Sequence, residues 1–122
     1  MPSSPLTHAP ESAHAALLVM HEIGGDELVV LLVRTFVEYA DAQLPIAEAS
    51  AARGDGPAVA KVAHALKSSA EQVGAHRLAT SCEVAERATG GGDAPTSQAL
   101  VAAMRRDYGE AREWMARILA PS

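Results

Sequence analysis

Clusters of glycine divide this sequence into a few stretches, and each stretch spaces its apolar residues as a helix would. The breaks fall at Gly24-Gly25, Gly54-Asp55-Gly56, Gly74 and Gly90-Gly91-Gly92. Glycine ends helices because it enters left-handed backbone without a Cβ penalty. The stretches between are rich in Ala, and none shows a convincing period-2 alternation. That combination points to an all-α chain.

Residues 1–10 carry three prolines among small polar residues and read as a mobile arm. Ser12 suits the cap of a short helix reaching about Glu22, which Gly24-Gly25 ends. Asp26 is a good cap for the next helix, with Glu27 in its first turn, and this helix should run to about Arg53. In it, Leu28, Leu31, Leu32, Thr35, Tyr39, Ala42, Ile46 and Ala49 form one stripe. Val29, Val30, Val33 and Val37 form a second apolar surface. Pro45 should kink this helix or interrupt one backbone bond.

A third helix is expected over about Pro57–Val73, a fourth over about Ala75–Ala88, and a last from Pro95 or Thr96 to about Leu119. The last carries Leu100, Met104, Ala111, Met115 and Ile118, with Trp114 nearby. Gly90-Gly91-Gly92-Asp93 reads as a loop. Four substantial helices on short connections predict an antiparallel four-helix bundle, with the short N-terminal helix as an accessory. Residues 11–120 would form a single domain, for which the length is ordinary.

Composition narrows the function. The formal net charge is −5, and nucleic-acid binding needs cations to replace the counterions of phosphates. One cysteine, Cys82, excludes an internal disulfide and a Cys-cluster zinc site. Cys82 falls on the apolar side of its helix and reads as a small core residue. His8, His14 and His21 are six and seven apart, too wide for ligands on one helix, so neither metal nor cofactor is expected. No apolar run approaches the roughly 18 residues of a membrane span. No basic n-region precedes an apolar stretch at the N-terminus, and the expectation is a cytoplasmic protein.

The third helix carries the chemistry. On a wheel of about 100° per residue, Val59, Val62, Ala63, Leu66, Ala70 and Val73 share one apolar arc. His64 stands about 150° from the centre of that arc and must face solvent. Lys67 at i+3 and Ser68 at i+4 share its surface, with Pro57, Ala60 and Glu71 around them. Imidazole in its neutral form is a nucleophile. An ammonium beside it offsets the charge of an incoming phosphoryl group, and small neighbours leave room for a partner. No acid–base partner for His64 is evident nearby, other than Glu71 two turns on. Isolated surface histidines are common and usually idle, and on the wheel alone that reading leads.

The wider pattern points elsewhere. Val62-Ala63-His64-Ala65-Leu66-Lys67-Ser68-Ser69-Ala70, followed by Val73-Gly74-Ala75 and Arg77-Leu78, strongly resembles the histidine-containing phosphotransfer (HPt) family. The Gly24-Gly25-Asp26 and Arg53-Gly54-Asp55 turns resemble that family's turns too, and the resemblance covers about residues 12–119. It implies that His64 accepts and donates a phosphoryl group, that Lys67 stabilises its charge, and that Ser68 is a small neighbour preserving access. The implied partners are response-regulator receiver domains or a hybrid sensor histidine kinase, with Mg²⁺ held by the receiver alone. The chain would be a monomeric phosphocarrier rather than an enzyme.

Two residues depart from the family. Ser68 stands where Gly is usual, and its hydroxyl could bond the imidazole or the phosphoryl group. Glu86 stands where some members place Gln; it would repel a phosphoryl group, or orient His64 through an imidazole N–H. These departures keep open an alternative, an interaction-only bundle that binds a receiver or kinase without phosphotransfer. The second apolar surface on residues 29–37 is either covered by the N-terminal helix or partly exposed as a docking patch beside His64.

Overall fold

Capping side chains and glycines set the helix boundaries. The computed structural model describes residues 4–89 and 93–121. They form a 3-10 helix over Pro5–His8 and four α-helices: α1 Glu11–Ala52, α2 Gly56–Gln72, α3 His76–Thr89 and α4 Ala94–Leu119. No strand occurs among the described residues. The Asp55 carboxylate accepts from the Ala58 N–H at 3.1 Å and caps α2. Asp93 accepts from the Thr96 N–H at 2.9 Å and caps α4. Each cap satisfies a helix N–H that has no partner inside the helix. The rest of the expected glycine loop, Gly90–Gly92, lies outside the described residues.

The four helices form a ring: α1 packs on α2 and α4, and α3 packs on the same two. The core inside this ring includes Val33, Phe36, Leu44, Val59, Leu66, Leu78, Cys82, Met104, Tyr108 and Met115. Trp114 is buried with them, as the apolar spacing of α4 predicts. Burial pushes the Cys82 thiol up to about 12, so it stays a protonated, inert core group.

The 42-residue α1 is two helices joined across a kink at Gly25, so the expected short N-terminal helix ends where the glycine pair places its stop. Gly25 has φ 69°, a conformation that L side chains rarely adopt, and it alone is non-helical inside α1. The imidazole of His21 lies 2.8 Å from the Asp26 carboxylate across this turn. Residues 5–8 are not an arm, because Pro5 is buried and this turn packs on α1 and α4. Residues 1–3 of the expected arm lie outside the described residues.

Gly74 fixes where the N-terminal segment lies. It has φ 79° between α2 and α3, and a Cβ there would stand 2.7 Å from Ala13 Cα and 2.9 Å from the Ala13 carbonyl oxygen. The first turns of α1 therefore rest directly on the α2–α3 connection. Ala13 and Leu17 bury themselves there.

The stripe assignment on α1 is reversed. Val29, Val33, Phe36, Val37, Ala40, Leu44 and Ala47 face the core. Of the expected first stripe, Leu31, Thr35, Ala42, Ile46 and Ala49 are exposed, and Leu28, Leu32 and Tyr39 are half-buried. Two apolar stripes on one helix cannot be ranked by spacing alone. The packed bundle decides between them: Phe36 meets the Tyr108 ring of α4, and Leu44 is fully enclosed. Pro45 is exposed, and the backbone stays helical through it.

A polar clasp joins α1 to α4. The Tyr108 hydroxyl is 2.7 Å from Asp41 Oδ1 and 3.3 Å from the Val37 carbonyl. Arg112 donates to both oxygens of Asp41, at 3.3 and 3.1 Å. The Tyr108 ring meets Phe36 edge-on, with centroids 6.1 Å apart. A buried phenol needs such an acceptor, because leaving its hydroxyl unpaired costs about 1–3 kcal/mol.

Candidate functional site

The α2 helix places its apolar arc as the wheel requires. Val59, Val62, Ala63, Leu66 and Ala70 are buried, and the His64 side chain on the opposite face is 66% exposed. Ser68 is exposed one turn on, and Ala60 is half-buried one turn back. The histidine thus stands on the outside of the bundle between small neighbours.

The tight turn through Val73, Gly74 and Ala75 sends α3 back alongside α2. This return brings Glu86 to the histidine: Glu86 Oε2 lies 2.5 Å from His64 Nδ1. The other carboxylate oxygen, Oε1, lies 3.7 Å from Lys67 Nζ. One carboxylate on α3 therefore engages both His64 and Lys67 of α2. The Glu86 and Lys67 side chains are 29% and 25% exposed, so they are held closer to the bundle than the imidazole is.

Chemistry follows from this geometry. An ionised carboxylate only accepts hydrogen bonds, so the imidazole atom beside it must carry the proton. In the neutral ring that leaves the lone pair on Nε2, and the tautomer is set by the bond at the other nitrogen. Nε2 is then a nucleophile on the exposed side of the ring. Attack from Nε2 leaves the ring cationic, and the adjacent carboxylate offsets that charge. Lys67 is shared with Glu86 at a distance longer than a hydrogen bond. Partly exposed pairs of this kind contribute about 0–1 kcal/mol, so the ammonium can turn toward an arriving anion at small cost.

The expected site residues are thus gathered in part. His64, Lys67 and Ser68 share one surface, but no hydrogen bond joins Ser68 to His64 among the described residues. Glu71, the only acidic partner that sequence neighbours suggested, is exposed and unpaired among the described residues. Glu86, a departure from the family for which orienting His64 through an imidazole N–H was one of two expected roles, is the imidazole's actual partner. Its signal was its place on the following helix, 22 residues away, where helical spacing within α2 says nothing. Among the described residues no group of three or more His, Cys, Asp or Glu side chains converges as metal ligands would. His14 instead contacts the Ala9 carbonyl at 3.1 Å.

The surroundings are apolar on the α1 side. The outward stripe of α1 runs beside α2, where Leu32, Thr35 and Tyr39 line a hollow of about 200 Å³ with Ser69 and Gln72. The N-terminal segment does not cover this stripe; its own Leu18, Val19 and Ile23 are exposed in turn. The apolar surface that stays open on α1 is therefore the Leu31–Ile46 stripe, not the valines of residues 29–37. No described helix is long and apolar enough to cross a membrane.

A family model described as Hpt domain matches residues 31–114. No curated protein and no solved structure matches the chain.

Proposed function

From the premise that this chain belongs to the Hpt domain family, we propose that His64 is its phosphoryl acceptor and donor in a phosphorelay. Membership gives the chain a histidine phosphotransfer role in two-component signalling, as a phosphocarrier that meets receiver domains or kinases. The finer assignment rests on one observation. Glu86 holds the Nδ1 side of the exposed His64 ring at 2.5 Å and leaves Nε2 free.

In the proposed step, the Nε2 lone pair attacks the phosphorus of a receiver's aspartyl phosphate, in line with the leaving oxygen. An N–P bond forms and the O–P bond breaks. The electron pair leaves on the aspartate, which becomes a carboxylate. The proton on Nδ1 stays where it is, bonded to Glu86, and the ring becomes a phosphorylated imidazolium. Lys67 turns toward the phosphoryl oxygens. The reverse step on a second receiver returns the ring to its neutral form. Mg²⁺ and the acidic residues that hold it belong to the receiver in this scheme. Ser68 and the outward stripe of α1 form the surface the receiver approaches.

The test is incubation with phosphorylated receiver domains, followed by treatment of the labelled product with acid and with base. A phosphoramidate is lost in acid and survives base. Binding of receivers with no label transferred to the chain would instead favour an interaction-only module.

A further inference from the structure

The arginines of this acidic chain are almost all neutralised at home. Arg53, Arg77, Arg87, Arg105, Arg106 and Arg112 each lie within 4 Å of a carboxylate. Among the described residues only Arg34 and Arg117 have no such partner, and both line the same hollow. Each has an acidic residue four positions away, Glu38 and Glu113, and neither intrahelical pair forms. Glu113 followed by Arg117 even has the favourable order. A position in the last turn of α4 explains the charge of Arg117 by the helix dipole, but it does not explain Arg34 in the middle of α1.

The hollow itself measures about 640 Å³ and lies where the 3-10 helix, α1 and the end of α4 meet. His8 adds a third nitrogen base, and Val30 and Ile118 add apolar wall. Among the described residues Asp26 is the one acidic residue in the lining, and its carboxylate is engaged by His21 at 2.8 Å. Guanidinium groups match the planar or tetrahedral oxygens of carboxylates and phosphates through paired N–H donors. We infer that this hollow is a binding site for a small organic oxyanion, a phosphate ester or a dicarboxylate, held by Arg34 and Arg117 with its carbon portion against Val30 and Ile118. It is formed by other elements than those that carry His64, and it adds a ligand-binding function to the carrier.

The test is a site-resolved NMR titration of the full chain at constant ionic strength with inorganic phosphate, phenyl phosphate and phthalate. The expected result is saturable shifts at Val30, Ile118 and the two arginine Nε–H groups, tighter for a ring-bearing ligand than for inorganic phosphate. Preference for phenyl phosphate or for phthalate assigns the head group. Arg34→Ala and Arg117→Ala should each weaken binding about tenfold, the scale of one charge-assisted contact. Arg34→Lys, which keeps charge and helix propensity, should also weaken it, because the paired geometry is lost. Lys61→Ala should change nothing. Shifts that do not saturate, equal affinity for inorganic phosphate and phenyl phosphate, or arginine variants that bind like wild type would overturn the site.

Discussion

Glu86 Oε2 and His64 Nδ1 lie 2.5 Å apart, joining α3 to the exposed face of α2. This contact determines which imidazole nitrogen is available, so it is the first place to perturb. Glu86→Ala should leave the fold intact and let the neutral ring populate both tautomers. Imidazole ¹⁵N spectra would show it: wild type should hold the Nδ1–H form, and the variant a mixture. Glu86→Gln keeps an acceptor but removes the charge that offsets the imidazolium. Phosphotransfer should then slow by several-fold, up to about 1 kcal/mol, the scale of a partly screened charge contact. A wild-type tautomer ratio in Glu86→Ala would refute the orienting role.

In the proposed step Lys67 meets the phosphoryl group and Ser68 lets it in. Lys67→Ala should slow transfer or shorten the phosphohistidine lifetime by several-fold, about 1 kcal/mol, with melting unchanged. Ser68→Gly should transfer as wild type or slightly faster, at up to about 1 kcal/mol in helix stability. Ser68→Gln should block transfer sterically with the fold preserved. If receivers load Ser68→Gln at the wild-type rate, they do not approach over this turn.

The two special glycines should respond differently to the same substitution. Gly25→Ala meets no atom within 4 Å and suffers only from its φ of 69°, a penalty of roughly 1–2 kcal/mol. Gly74→Ala carries that penalty and also drives a methyl group to 2.7 Å from the Ala13 backbone. Denaturant melts should rank Gly74→Ala well below Gly25→Ala. Equal losses would mean that the N-terminal segment of α1 does not rest on the α2–α3 connection.

Asp41 links stability to pH. Its hydrogen bond from Arg112, aided by Tyr108, holds its carboxyl below the usual carboxylate range. A depressed folded value means the contribution is complete above the unfolded value of about 3.9 and is lost as pH falls through the folded one. The Asp41 and Arg112 side chains are 42% and 49% exposed, so solvent screening limits their pair to about 1 kcal/mol. Asp41→Asn should lower the Tm at neutral pH. The gap from wild type should narrow in strong acid, and a gap independent of pH contradicts the linkage.

Much of this was legible in the residues themselves. The glycines and their neighbouring Asp or Pro residues marked the helix ends, because those residues act locally on the backbone. His64, Lys67 and Ser68 were readable as one surface because all three lie on one helix, where position fixes direction. Glu86 reaches its partner only after α3 has folded back, and no local rule carries that distance. The outward stripe of α1 was misjudged for a related reason. Which of two apolar faces is buried depends on the volume the other helices leave to be filled, and Phe36 and Leu44 settle that only in the packed bundle. Arg34 and Arg117 are 83 positions apart in sequence and come to line one hollow only in the tertiary structure.

The central claim is that phosphorus arrives on Nε2 of His64, and its most direct measurement is ³¹P–¹⁵N correlation on the chain loaded by a phosphorylated receiver. The account predicts a single N–P coupling, to Nε2 of His64, absent in His64→Gln although that variant keeps wild-type helicity. A phosphoryl group on Nδ1, or labelling of His64→Gln at His76 or His21, would contradict it.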